Sequence, residues 1–248
     1  MKIIATQTVL GIELSTINDL KMVLSFIHDN IQKKGYLIVL NVHLCVLAKY
    51  DKSLRHIINS SILTIADGNP LVVLSNIIHS RKINRITGPD LFRECLFDQK
   101  LKHFLLGSTG PVLDELMHSS PNIVGSFSPP FRSMDKKEIL KIFEEINALK
   151  PDIVWVALGA PKQEYFIANN IKYLNRGLMI PVGAAFSYQL NIIKRAPSWM
   201  QKWSLEWLYR LAQEPRRLWK RYMFTNPMFL IHSFFEVLDK KIFIKKNK

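Results

Sequence analysis

Asp67 is the residue of this chain best placed to move a proton. It closes the short apolar run Ile62–Ala66 and precedes Gly68, so its carboxylate projects into whatever crevice that strand end faces. A carboxylate held there can take a proton from an attacking hydroxyl, or it can merely cap the next helix or turn. Asn41 ends a second apolar run and must find a partner, either in a ligand or in neighbouring backbone. Gly159-Ala160-Pro161-Lys162-Gln163-Glu164 follows the apolar run Ile153–Leu158. Gly159 permits a tight turn, and Pro161 suits the first turn of a helix. Lys162 and Gln163 would then point from a helix N-terminus into a cleft, the lysine toward phosphate and the glutamine toward a base or sugar. The competing reading is a well-capped helix with solvated polar residues. Leu106-Gly107-Ser108-Thr109-Gly110 also follows a strand and opens a helix, and its amides could hold a phosphate.

Residues 195–222 add cations to this set. Arginines and lysines alternate there with tryptophans and tyrosines, opposed only by Glu206 and Glu214. Guanidinium forks suit phosphate oxygens, and Trp and Tyr suit a boundary between apolar and wet surroundings. Such a segment belongs where an anionic ligand meets a membrane or an aromatic-lined cleft, or else it is a solvated basic helix packed by its aromatic face.

The elements that must position these residues follow from periodicity. Leu37–Leu40, Ile62–Ala66, His103–Leu106, Ile123–Val124, Ile153–Leu158 and Leu178–Val182 read as buried strands. Between them Ile17–Ile31 and Lys136–Leu149 carry helical apolar spacing. Strands that alternate with helices imply an α/β fold with a mostly parallel sheet flanked by helices. In such sheets ligands sit beyond the carboxyl ends of the strands. Those ends are rich in polar or glycine residues: Asn41, Asp67-Gly68, Gly107-Ser108, Gly125-Ser126 and Gly159. The alternation stops near Lys194, which predicts a main domain over 1–194 and a basic, aromatic, helical appendage over 195–248, broken at Pro215 and Pro227.

The formal net charge is +14, and residues 194–248 contribute 13 Lys plus Arg against 4 Asp plus Glu, a net of +9. That favours a phosphate-bearing partner: nucleic acid, anionic lipid or a diphosphate. Cys45 and Cys95 lack metal-site spacing and read as core thiols in a reducing compartment. The scattered histidines lack ligand spacing, and no DxD pair occurs, so neither a metal nor a cofactor is called for. The absence of GxGxxG and of GxxxxGK[ST] argues against a dinucleotide dehydrogenase and a P-loop NTPase. The N-terminus does not read as a secretory signal. Met228–Leu238 is too short and too polar to span a bilayer, which needs ~20 apolar residues. The expected location is cytoplasmic, with contact at a membrane surface. The exposed apolar tail makes a homo-oligomer a further expectation.

Taken together, these residues resemble the WecG/TagA/CpsF glycosyltransferase family from about Thr8 to Tyr222. The resemblance is carried by Asn41, Ala66-Asp67-Gly68, Thr87-Gly88-Pro89-Asp90-Leu91, Leu158-Gly159-Ala160-Pro161-Lys162-Gln163-Glu164, Val182-Gly183-Ala184-Ala185-Phe186, Arg195-Ala196-Pro197, Leu205-Glu206-Trp207-Leu208-Tyr209-Arg210-Leu211 and Glu214-Pro215-Arg216-Arg217. It implies a Rossmann-like domain, a UDP-sugar donor, a lipid-linked sugar acceptor at the inner face of the cytoplasmic membrane, and metal-independent inverting transfer.

Carried over residue by residue, the resemblance makes Asp67 the general base, with Asn41 beside it. Arg210, Arg217 and Arg221 become the appendage cations that serve the diphosphate, with Lys220 as the alternative to Arg221. The donor-binding set is then Gly68, Gly107, Ser108, Gly125, Gly159, Lys162, Gln163, Glu164 and Arg195. Three departures bear on sugar identity and activity: Val39 where the family often has threonine, Ser187 where many members have aspartate, and no glycine in Gln189-Leu190-Asn191. A nucleic-acid-binding module and a non-catalytic nucleotide-sugar-binding homologue are the alternative readings.

Overall fold

A computed structural model describes residues 4–246; residues 1–3 and 247–248 lie outside them. A hairpin of β1 (Thr6–Val9) and β2 (Ile12–Ser15) comes first, a feature the apolar periodicity did not announce. Then come α1 (Leu20–Asn30), β3 (Lys34–Leu40), α2 (Val42–Tyr50), α3 (Lys52–Asn59), β4 (Leu63–Ala66), α4 (Asn69–Ile78) and α5 (Gly88–Phe97). The chain continues through β5 (His103–Gly107), α6 (Gly110–Ser119), β6 (Ile123–Phe127), α7 (Lys136–Leu149), β7 (Ile153–Ala157), α8 (Lys162–Asn170), β8 (Gly177–Pro181) and α9 (Ala185–Gln189). The residues after 194 form α10 (Ser198–Lys202), α11 (Glu206–Gln213) and α12 (Pro215–Lys246).

Every expected strand joins one six-stranded sheet in the order β4-β3-β8-β7-β5-β6. All its neighbours run parallel. Alternation within the strands shows why both faces are covered. Tyr36, Ile38 and Leu40 point into one apolar core, and Leu37 and Val39 into the other. Val154 and Val156 divide from Ile153 and Trp155 in the same way, as the two-residue side-chain period requires. Cys45 and Cys95 are buried thiols of these cores.

The helices begin where polar side chains meet free amides. Asp19 accepts from Met22 N at 2.8 Å, and Asp135 and Glu138 form a reciprocal capping box ahead of α7. The helix expected over Lys136–Leu149 is present with those bounds, whereas that over Ile17–Ile31 is shortened to Leu20–Asn30 by the Asp19 cap.

Pro215 starts α12, but Pro227 does not break it: the helix runs through that position as one 32-residue element. Proline removes one N–H and crowds the preceding turn. Here Pro227 lies on the exposed side, while Thr225 and Phe229 on either side of it are buried at 1% and 4% exposure. Packing of that inner face against α2 keeps the helix going. No helix among the described residues is long and apolar enough to cross a membrane.

Candidate active site

A cleft of about 980 Å³ opens over the carboxyl ends of β3, β4, β5, β7 and β8 and is roofed by α11 and α12. From the sheet side it is lined by Val39, Asn41, Asp67, Gly68, Ser108, Gly159, Gln163 and Ser187, and from the roof by Arg210, Arg217 and Arg221. Residues far apart in sequence meet there because parallel strands place all their carboxyl ends on one edge of the sheet.

Asp67 follows β4 directly. It does not cap the next helix: α4 has Gly68 at its N-cap and no side-chain cap. Its carboxyl is pushed up to about 6, by burial first; Arg85 and Arg210 pull the other way and Glu206 adds to the rise. A carboxylate with that midpoint is ionised at neutral pH yet far more basic than an ordinary aspartate, as proton abstraction requires. Asn41 divides its roles. Its Oδ1 accepts from Leu44 N at 3.0 Å as the N-cap of α2, and the residue also lines the cleft.

The 159–164 turn contributes unevenly. Gln163 is buried and faces the cleft; its Oε1 accepts from Gly159 N at 3.2 Å and its Nε2 donates to Glu164 Oε1 at 2.9 Å. Lys162 instead lies exposed and outside the lining, because the first residue of α8 falls on its outer side. Glu164 is fully buried behind the wall, with Oε2 lacking a hydrogen-bond partner among the described residues. Burial raises its carboxyl, and the charge of Arg221 opposes that rise.

Three other residues of the expected ligand-binding set stand away from the lining. Gly107 has φ +115°, and a Cβ there would lie 2.6 Å from the Ala157 carbonyl oxygen. It shapes the backbone that presents Ser108. Gly125 lies in β6, where a Cβ would meet Leu149 Cδ1 at 2.6 Å and the Phe104 ring at 2.8 Å, so it is a packing position. The Arg195 guanidinium is ion-paired with Asp90 and also donates to Thr87 Oγ1 at 3.4 Å, which fastens the segment before α10 to the start of α5.

The roof concentrates positive charge. Arg210 lies over the Tyr188 ring at 5.5 Å, and Arg217 pairs with Glu214 at 2.7 Å. Arg221 forms no ion pair among the described residues, and its buried Nε is unpartnered. Burial lowers it to about 10, and Arg210 and Arg217 contribute to the fall. Lys220 is exposed beside Trp219, so the cleft takes Arg221 and not its neighbour. Three arginines converging on a cleft want a polyanion.

The chain belongs to the WecG/TagA/CpsF glycosyltransferase family. That family's profile matches residues 7–242. The N-acetylglucosaminyldiphosphoundecaprenol N-acetyl-beta-D-mannosaminyltransferase of Bacillus subtilis (strain 168) is 33% identical over 224 residues, covering 87% of this chain and 85% of that protein. The enzyme of the same name from Staphylococcus aureus (strain MW2) is 26% identical over 250 residues, covering 97% and 95%. A third of that name, from Bacillus spizizenii, is 31% identical over 208 residues, covering 80% and 79%. This protein is therefore a glycosyltransferase of cell-envelope polysaccharide synthesis.

Two cleft residues escaped the reading of the sequence. Arg85, from the loop before α5, donates through Nε to the Asp67 carbonyl oxygen at 2.7 Å; nothing in its local sequence marks it. His43 was one histidine among several scattered ones. Its Nδ1 is buried without a partner among the described residues, and burial together with Arg221 lowers it to about 3. It is a neutral hydrogen-bonding group at neutral pH. The nucleic-acid reading gives way to the family match, and Arg210, Arg217 and Arg221, part of the basic segment that suggested it, line the cleft.

Proposed function

We propose that this chain transfers an N-acetylhexosamine or related uronic acid from a UDP-sugar to a polyprenyl-diphosphate-linked sugar, with inversion and without a metal ion. The observation that carries the reading is one cleft lined by the Asp67 carboxyl and by Arg210, Arg217 and Arg221. Asp67 takes the proton of the acceptor hydroxyl as its oxygen bonds to the anomeric carbon. The bond from that carbon to the diphosphate oxygen breaks, and UDP leaves with both electrons, its charge met by the arginines. Asn41, Gly68, Ser108, Gly159 and Gln163 hold donor and acceptor around that centre. Val39 and Ser187 line the same cleft, so these departures from the family's usual residues fall where the sugar would be read.

The residues after 194 act as a separate lid and membrane-proximal appendage. Trp203 is 77% exposed and Leu230 68%; Trp199, Trp219 and Phe234 are exposed as well, and so are Lys202, Arg216 and Lys220. Such a surface suits the inner face of an anionic cytoplasmic membrane, where a lipid-linked acceptor resides.

The test is transfer itself. The protein is incubated with an N-acetylglucosaminyl-diphospholipid and a panel of UDP-sugars in the presence of EDTA, and products are read by mass spectrometry and anomeric NMR. One donor is expected to give an inverted disaccharide-lipid. No product and no thermal shift with any UDP-sugar would overturn the reading.

A further inference from the structure

Arg85 is held from two sides. Its Nε donates to the backbone carbonyl oxygen of Asp67 at 2.7 Å, while its guanidinium is ion-paired with the carboxylate of Glu206. Arg85 comes from the loop before α5 and Glu206 from the first residue of α11, 121 positions later. Both side chains are largely withdrawn from solvent, at 19% and 24% exposure. Among the described residues Arg85 makes no ion pair with the carboxylate of Asp67, although it is bonded to that residue's carbonyl.

An arginine free to turn onto a neighbouring aspartate normally pairs with it and depresses its basicity. Glu206 takes one arm of the guanidinium, Nη2, while the Asp67 carbonyl holds Nε. The groups facing the Asp67 carboxyl are Arg85 from the loop, Glu206 and Arg210 from α11, Tyr188 from α9 and the Gly88 amide of α5. Of these, Glu206 brings the negative charge that offsets the two arginines. It also shares a helix with Arg210, so one docking event delivers both the leaving-group cation and the partner of Arg85. A second contact fixes the same approach: Asn69 Nδ2, two residues after Asp67, donates to Ser204 Oγ at 2.8 Å just before α11.

We propose that Glu206 is a positioning residue delivered by the appendage, which holds Arg85 off the Asp67 carboxylate and leaves that carboxylate free to accept a proton only while α11 is docked. With α11 lifted, Arg85 falls onto Asp67 and the base is masked. The inference rests on the reading of Asp67 as the general base.

The test is a ¹³C NMR titration of the full chain labelled in its aspartate carboxyls, with the Asp67 signal assigned by Asp67→Asn. It needs no knowledge of the sugar. In Glu206→Gln the Asp67 midpoint is expected to fall by about one pH unit or more. In an Arg85→Gln background the same change is expected to move the midpoint by less than half as much, because Glu206 acts through Arg85. Glu206→Asp keeps the charge on a shorter arm and preserves the fold more gently; its midpoint is expected between wild type and Glu206→Gln. A midpoint unmoved in Glu206→Gln, or moved equally in both backgrounds, overturns the proposal. Turnover of Asp67→Asn separates the two readings. If that variant still turns over, the base assignment fails whatever the titration shows. If it is dead and the titration is unmoved, only the role of Glu206 fails.

Discussion

Leu10 donates its backbone N–H to both carboxylate oxygens of Glu236, at 3.0 and 2.9 Å, across 226 positions of sequence. Leu10 and Gly11 are the two central residues of the β1–β2 hairpin turn, with φ 51° and 81°, the left-handed pair such a tight turn requires. The first amide of that turn has no ladder partner, and α12 supplies one. Tyr50 at the end of α2 reaches His232 at 2.8 Å, and Lys240 reaches His79 at 3.2 Å. The far half of α12 is thus clamped to the domain, and through the helix the clamp sets where Arg217 and Arg221 stand.

Glu236→Ala is expected to cost about 1–3 kcal/mol, because it strands a part-buried amide. Denaturant unfolding measures the loss. Hydrogen exchange should show α12 opening more readily while the sheet stays protected.

Asp67→Asn is expected to lower transfer by a factor of roughly 10²–10⁴ and leave UDP affinity within about twofold. In the wild-type enzyme the rate is expected to rise with pH through about 6, as Asp67 loses its proton. The same residue weakens the fold. Its folded midpoint lies above the ordinary 3.8, so the folded state holds the proton more tightly than the unfolded one. Stability is therefore full below 3.8 and declines as pH rises through about 6. Asp67→Asn should then be more stable than wild type at pH 8, by on the order of 1–2 kcal/mol. Thermal melts across pH check the sign.

Arg221→Gln should weaken UDP binding at least tenfold by calorimetry, yet leave the melting temperature of the free enzyme unchanged or raised. Arg221 is a buried cation whose neighbours Arg210 and Arg217 disfavour its charge. Removing it relieves repulsion, while a diphosphate loses its counter-charge.

Gly107→Ala and Gly125→Ala separate packing from ligand contact. Both added methyls meet occupied space, backbone at 2.6 Å in the first case and side chains at 2.6 and 2.8 Å in the second. Each is expected to cost about 2–4 kcal/mol. Gly125→Ala should leave UDP affinity unchanged wherever the protein still folds, and a selective loss of UDP binding would restore it to the ligand-binding set.

The sheet was legible in the sequence because buried parallel strands are written as short apolar runs, and each expected run became a strand. Asp67, Asn41 and Gly159 were legible for a related reason, since a polar or glycine residue that ends such a run lies at the carboxyl edge; Gln163 was legible from the helix that opens after Pro161. The N-terminal hairpin was not, because Gln7 and Glu13 interrupt its apolar pattern, and only contact with α3, α4 and β4 fixes it. Sequence order also could not sort the glycines and cations of the motifs. Lys162 stands beside the cleft residue Gln163, and Gly125 and Arg195 belong to motifs of the same kind, yet packing, helix phase and an ion pair with Asp90 keep the three out of the lining. Local spacing dictates which way a chain folds over a few residues. Only tertiary docking decides that Arg85 meets Glu206, that His43 lies beside Arg221, and that α12 runs unbroken past Pro227 to roof the cleft.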